Sequence, residues 1–402
     1  MPKPHPLESA PDNPGSLPRD VWVLATIAFC VAVGFGVVVP VLPIFAKSFT
    51  ESTFKVALVI SSFAFMRLVT SPVCAPMITR LGERVVLGAG ILIVAASSAA
   101  CGLATSFWGL LVVRAFGGIG SAMFTVAAMT LLLRTVEPAR RGRASAIYSG
   151  GFLVGGMAGP AVGALLAAVS ITAPFFFYSG TLAIAGMVAL ALLSCPDGSL
   201  ARPTPEPMPF AEAIADRRYR AALLTNLAQG WQSIGVRTAL VPMFVVETLH
   251  RTPSATGTAF AIAAIVQTLA LGPSGRAVDT RGRRPMMVFA GVLTGCAAIA
   301  MPFSTSIWVL TIILCVYGLG SAAHSTAPTA VLGDVTHGRG GTPVAVFSMV
   351  GDLGAIVGPL AAGALDDAYG MPAAFAVGGA LLLAGALASA LMPATKPAGA
   401  AS

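Results

Sequence analysis

The sequence predicts an all-α membrane protein built as two pseudo-symmetric six-helix bundles, and three observations predict it. Of the 402 residues, 56% are hydrophobic and only 10% are charged, and the mean hydropathy is +0.85. Soluble domains carry about 25% charged residues, so this composition belongs in lipid. The apolar residues fall into segments of about 20, the length that crosses a hydrocarbon core as helix. Lipid leaves an open backbone without partners, and the segments are too long for barrel strands. Finally, the chain repeats itself at an offset of about 200 residues.

The repeat is anchored on the charged turn 275–285, GRAVDTRGRRP, which 75–85, APMITRLGERV, matches in register. Gly117, Gly118, Gly120, Ser121 and Ala122 answer to Tyr317, Gly318, Gly320, Ser321 and Ala322. After one residue of slip, Gly155, Gly159 and Pro160 answer to Gly354, Gly358 and Pro359, while Gly163 falls one short of Gly363. Such a repeat in an apolar chain marks a secondary transporter of two parallel bundles with its substrate site between them.

Twelve spans follow in order: 21–44, 56–78, 85–104, 108–133, 144–169 and 174–193, then 221–246, 258–274, 286–303, 308–331, 343–365 and 373–391. They give an N-terminal tail 1–20, a first bundle 21–194, a linker 195–220, a second bundle 221–393 and a C-terminal tail 394–402. The tail lacks a basic run before a short apolar core, so no cleaved signal peptide is expected. The linker begins CPDGSLARPTPEPMPF, an extended tether by its proline content. AEAIADRRYRAA then reads as an amphipathic lead-in along the membrane surface.

One side of the membrane collects Lys3, Arg19, Arg80, Arg84, Arg134, Arg140, Arg141, Arg143, Arg202, Arg217, Arg218, Arg220, Arg276, Arg281, Arg283, Arg284, Arg339 and Lys396. The other has Lys47, Lys55 and Arg251. This imbalance puts both termini in the cytoplasm. It also explains the net charge of +8 without nucleic acid, because the basic residues sit in short turns. Six cysteines have no metal-ligand or redox spacing and read as packing residues. No nucleophile and base, phosphate loop or metal cluster suggests an enzyme.

Several motifs carry a family resemblance. Gly275, Asp279, Gly282, Arg283 and Arg284 are similar to the major facilitator superfamily signature Gly-x-x-x-Asp-x-x-Gly-Arg-Arg/Lys. In that family the turn is a latch for one access state. The first copy departs from it, with Thr79 in place of the acid and Glu83 in place of a basic residue. Gly155, Gly159, Pro160 and Gly163 in GGMAGPAVGALLA resemble the antiporter motif of the twelve-span drug:proton antiporters, and glycines four apart also make a close-packed seam. Pro40 and Pro43 resemble the proline pair of such exporters, although 21–39 lacks the acid they often carry.

Buried polar residues supply the candidate site. Arg67, Arg114, Arg237 and Asp352 are the charges well inside spans, with His324 as a titratable neutral. Intramembrane charges face protein or water. Asp352 is the one deep acid and the candidate proton carrier, or else the permanent partner of an arginine. By resemblance Arg114 stands near proton transfer, or else it holds backbone carbonyls. Arg67 corresponds to Gln267 across the repeat, and Asn226, Gln229, Ser233 and Arg237 share a stripe of the seventh span. Family analogy turns Arg114, Gln229, Arg237 and His324 toward a central cavity.

The resemblance implies a monomeric transporter in the inner (plasma) membrane, needing no cofactor or metal and drawing on a proton gradient. Its expected partners are a small-molecule substrate, protons and the bilayer. Export of amphipathic compounds or drugs in exchange for protons is the main expectation. Three buried arginines against one aspartate instead favour an anionic metabolite, and a non-transporting membrane sensor is the third alternative.

Overall fold

The computed structural model describes residues 17–136, 141–193, 208–336 and 342–393, and every regular element among them is helical. Residues 1–16 of the N-terminal tail, 195–207 of the linker with Cys195 and Arg202, and the C-terminal tail lie outside the described residues, as do Arg140 and Arg339. The first half comprises α1 (Arg19–Val38), α2 (Leu42–Lys47), α3 (Thr53–Leu81), α4 (Glu83–Gly102), α5 (Phe107–Thr135), α6 (Arg141–Val169) and α7 (Ala173–Leu192). The second begins with α8 (Phe210–Ala215), α9 (Arg217–Gln229), a π-helical turn (Gly230–Val236) and α10 (Arg237–Glu247). It continues with α11 (Pro253–Arg281), α12 (Arg283–Ala300), α13 (Ile307–Thr336), α14 (Thr342–Tyr369) and α15 (Met371–Ala390). Among the described residues, eleven helices are long and apolar enough to cross a membrane: α1, α3 to α7 and α11 to α15.

Two predicted spans are not single helices. The first breaks after Val38, and α2 restarts at Leu42 with a proline in its opening turn, because Pro40 and Pro43 bring no backbone N–H to continue the ladder. The seventh is interrupted by the π-helical turn, where Gly230 lies against the Gly351 carbonyl and Gly235 against Pro359. Its register shifts there, so the stripe expected from Asn226 to Arg237 is divided. The predicted lead-in is also two pieces, α8 and the start of α9, separated at Asp216, whose carboxylate accepts from the Arg218 N–H and caps α9.

Each charged turn contracts to one residue. Gly82 at φ +81° separates α3 from α4, and Gly282 at φ +96° separates α11 from α12. Only glycine adopts that backbone without strain, so the long helices reverse without a loop. Buried apolar side chains then form one cluster in the first half, around Leu24, Ile91, Leu131 and Phe175, to which α10 adds Met243. Two more lie in the second half, around Leu240, Leu314 and Phe375 and around Tyr219, Met286 and Phe347. Trp108 and Trp308, one repeat apart, are both exposed, as expected of side chains that meet lipid.

The repeat reappears in the contacts. A methyl group on Gly118 would lie 2.2 Å from the Phe63 carbonyl oxygen, and one on Gly318 would lie 3.0 Å from that of Ala263. Gly36 packs on Pro160 and Gly235 on Pro359. Residues separated by 199 or 200 positions thus meet equivalent neighbours.

Candidate functional site

A cavity of about 510 Å³ lies between the two halves. On one side Phe35, Phe63, Phe124, Phe152, Met157 and Tyr178 make its wall largely aromatic. The other side presents Ser233, Arg237, Thr238, Phe260, Gln267 and Thr268, with Arg67 between the two. Such a volume, mostly apolar with a few polar groups, suits a small organic molecule.

Arg67 of α3 and Asp352 of α14 form an ion pair, Nη2 to Oδ1 2.6 Å, which joins the halves. Each side chain is about one-third exposed (34% and 33%), and Arg67 lines the cavity. Nearby, the Ser61 hydroxyl donates to the Ile356 carbonyl at 2.8 Å, again across the halves. Further links among the described residues lie toward the α2 end of the molecule. Lys47 pairs with Glu247 at 3.4 Å. Asp367 accepts from the Ser52 hydroxyl at 2.6 Å and from the N–H groups of Thr53 and Phe54 at 2.7 and 3.1 Å. An acid of the second half thereby caps a helix of the first, and Gly363 packs directly on Phe54. Sequence reasoning missed this clasp; the Ser-Thr start of α3 was the available signal.

The other candidates are placed differently. Arg114 is buried, 5% exposed, with its guanidinium carbon 4.3 Å from the centre of the Phe63 ring. It stands behind that ring instead of in the wall, and its Nε has no hydrogen-bond partner. Arg237 does line the cavity, immediately after the π-helical turn. Its guanidinium carbon lies 5.6 Å from the Phe260 ring centre and 5.4 Å from that of Tyr317, and Nε donates to the Ser233 carbonyl at 3.4 Å. Gln229 and Gln267 both donate to the Ser321 hydroxyl, at 3.0 and 3.4 Å, and of the two only Gln267 reaches the cavity.

Asn226 donates to the Phe347 carbonyl at 2.7 Å and ties α9 to α14. His324 sits inside the second half, 2% exposed, with Nε2 3.2 Å from the Thr225 carbonyl and Nδ1 3.4 Å from the Thr294 hydroxyl. Only a protonated Nε2 satisfies that carbonyl, so the tautomer follows from the bond. The ring braces α9, α12 and α13 and takes no part in the cavity wall.

The glycine-proline motif forms the seam between α1 and α6. A methyl group on Gly155 would lie 2.4 Å from the Phe29 carbonyl oxygen, and Gly159 and Gly163 approach Val33 and Val37 as closely. Gly354 and Gly358 repeat this against Leu227 and Trp231.

The charged turns hold reversed ion pairs. In the second half Arg283 bonds Asp334 at 3.0 Å, meets Asp279 at 3.4 Å and donates to the Val278 carbonyl. In the first half Glu83 bonds Arg134. Both pairs occupy the same repeat positions, 83 with 283 and 134 with 334, but the charges are exchanged. That accounts for the departure of the first copy: Asp279 meets Arg283 across the second turn, so an acid at the equivalent position 79 would face Glu83 and repel it, and Thr79 avoids this. Asp279 is 66% exposed, and among the described residues its ion-pair partner is Arg283 of the same turn.

Comparison with known proteins agrees with this architecture. A family model described as Major Facilitator Superfamily matches residues 24–237 and 222–402. An MFS-type transporter of Methanocaldococcus jannaschii is 23% identical over 369 residues, covering 89% of this chain and 94% of that protein. The quinolone resistance protein NorA of Staphylococcus aureus is 26% identical over 186 residues, 45% of this chain and 47% of NorA. A bacterial homologue of the human lysosomal transporter Spinster, solved in an inward-facing and occupied conformation, superposes with a TM-score of 0.77 at 17% identity over 92% of this chain and 95% of that one. The human organic anion transporter MFSD10 superposes at 0.66 with 18% identity, over 92% and 99%. From its family match and its fold together, the chain belongs to the Major Facilitator Superfamily and is a multi-pass membrane transporter.

Proposed function

We propose that this transporter is a proton-coupled antiporter that exports small, partly apolar organic compounds by alternating access. It crosses the inner (plasma) membrane twelve times with both termini cytoplasmic, and it works as a monomer. The run from α9 through α10 serves as the seventh crossing: its 13, 7 and 11 residues span about 45 Å at helical rise, more than a hydrocarbon core. The observation that carries the reading is the Arg67–Asp352 pair, a cation of the cavity wall held by an acid of the opposite half. Protonating Asp352 removes the charge that holds Arg67 and weakens the link between the halves.

The α6 seam and the partial likeness to NorA support export. The links gathered toward the α2 end support an inward-facing conformation with the charged-turn end open. The test is a panel of amphipathic fluorophores in liposomes carrying the protein under an imposed pH gradient. Asp352→Asn should abolish gradient-driven movement and leave movement down a fluorophore gradient intact. Full proton-driven efflux by Asp352→Asn removes Asp352 as the carrier, and absence of any movement by the unaltered protein removes the transport reading in favour of a sensor.

A further inference from the structure

We infer that the cargo bears one anionic headgroup of the carboxylate or sulfonate type, and that Arg237 receives it; this rests on the carrier reading above. The structure separates three intramembrane arginines that are equivalent on paper. Arg67 is neutralised by Asp352, and Arg114 lies behind Phe63. Arg237 alone of the three is a wall cation with no acid within ion-pair distance among the described residues. Arginine keeps its proton in proteins, so this charge persists at every relevant pH. A cation drawn out of water demands compensation, and two ring faces with one 3.4 Å bond to the Ser233 carbonyl supply only part of it.

A purely bracing arginine uses its donors on backbone and acids, as Arg283 does with Asp334, Asp279 and the Val278 carbonyl. Arg237 spends one donor that way and leaves the rest of a planar fork for the cavity, the geometry that takes a carboxylate through two parallel bonds. Behind it stands the buried Tyr317, whose hydroxyl lies beside the Ser233 side chain. Opposite stand Phe35, Phe124, Phe152 and Tyr178, a surface for an apolar body and not for a second charge. A cationic cargo would meet Arg237 in the wall and Arg114 one layer back, with Asp352 already paired to Arg67.

The test uses three probes with one ring system: 1-naphthylacetate, 1-naphthylacetamide and 1-naphthylethylamine, bound to the purified full chain by equilibrium dialysis. The acid should bind at least about tenfold more tightly than the amide, as expected for a charge-assisted pair. Arg237→Gln should bring the acid to the level of the amide and leave the amide within about twofold, while Arg237→Lys keeps part of the preference. Melting temperatures of both variants separate lost binding from lost fold. An acid bound no more tightly than the amide overturns the proposal, as does an Arg237→Gln variant that melts normally yet weakens all three probes equally. In liposomes, gradient-driven movement of the amine in preference to the acid overturns the headgroup site and leaves the carrier standing. Arg237-dependent binding of the acid with no movement of any probe does the reverse.

Discussion

Exchanging the charges of the Glu83–Arg134 pair tests the claim that the two halves hold the same contact with opposite polarity. Glu83→Arg alone would place two cations together, one at a site where the native side chain is 6% exposed. Unit charges about 4 Å apart cost up to about 4 kcal/mol at an effective dielectric constant near 20. Arg134 is 40% exposed and can swing away, so about 2 kcal/mol is expected. Arg134→Asp alone sets two acids together and should cost a similar amount.

The double variant Glu83→Arg/Arg134→Asp recreates the arrangement of Arg283 and Asp334 and should recover most of this loss. It should not recover all of it. Glu83 opens α4 and Arg134 lies in the last turn of α5, the ends where helix dipoles favour those signs. The exchange forfeits both terms, about 0.3–1 kcal/mol each. The double variant should therefore rest about 1 kcal/mol below the unaltered protein and above either single variant. Unfolding of the detergent-purified protein, followed by circular dichroism through a double-mutant cycle, reads the coupling directly. Additive single effects, to within about 0.5 kcal/mol, would falsify the pairing.

Two further outcomes follow from neighbouring features. Gly155→Ala forces a methyl group against the Phe29 carbonyl and should lower stability by about 1–3 kcal/mol, whereas Gly156→Ala, which meets nothing within 4 Å, should leave the melting temperature unchanged or slightly raised. Equal effects at the two positions would remove the seam as a close-packed contact. The hydrogen bond from Arg218 holds the Asp216 carboxyl below the usual carboxylate range. Its folded value being depressed, its contribution is fully present above the ordinary value of about 3.9 and fades as pH falls below it. Asp216→Ala should thus cost about 1 kcal/mol at neutral pH, a deficit that narrows below about pH 4 in melts taken across the pH range; a constant deficit contradicts the charged cap.

The helical architecture was legible because each repeat spells out its own packing: Gly118 and Gly318, or Gly36 and Gly235, are small where a neighbouring backbone must come close. The π-helical turn was not, since composition along an apolar run does not show where one turn widens; the break at Pro40 was signalled by Pro40 and Pro43 but not read as one. Depth along a span places Arg67, Arg114, Arg237 and Asp352 near the membrane centre, yet it does not say which way each points. The partnership of Arg67 with Asp352 depends on α3 meeting α14, helices that are not repeat mates. His324 illustrates the same gap, for a polar residue at mid-depth can brace its own half as well as face the middle. The reversed pair went unread, although Arg134 and Asp334 stand at the same offset as Glu83 and Arg283.

The Asp367 clasp has a consequence for wear over repeated cycles. In the alternating-access cycle proposed above, parting of the α2 end would take the acceptor from the Thr53 and Phe54 N–H groups and leave them to water, an exchange worth only about 1 kcal/mol per bond. Ser52 meanwhile still accepts from the Lys55 N–H, a spare fastening within the same segment. The first turn of α3 therefore keeps its shape while separated and is ready to be recaptured without refolding, which suits a gate that must reset at every turnover.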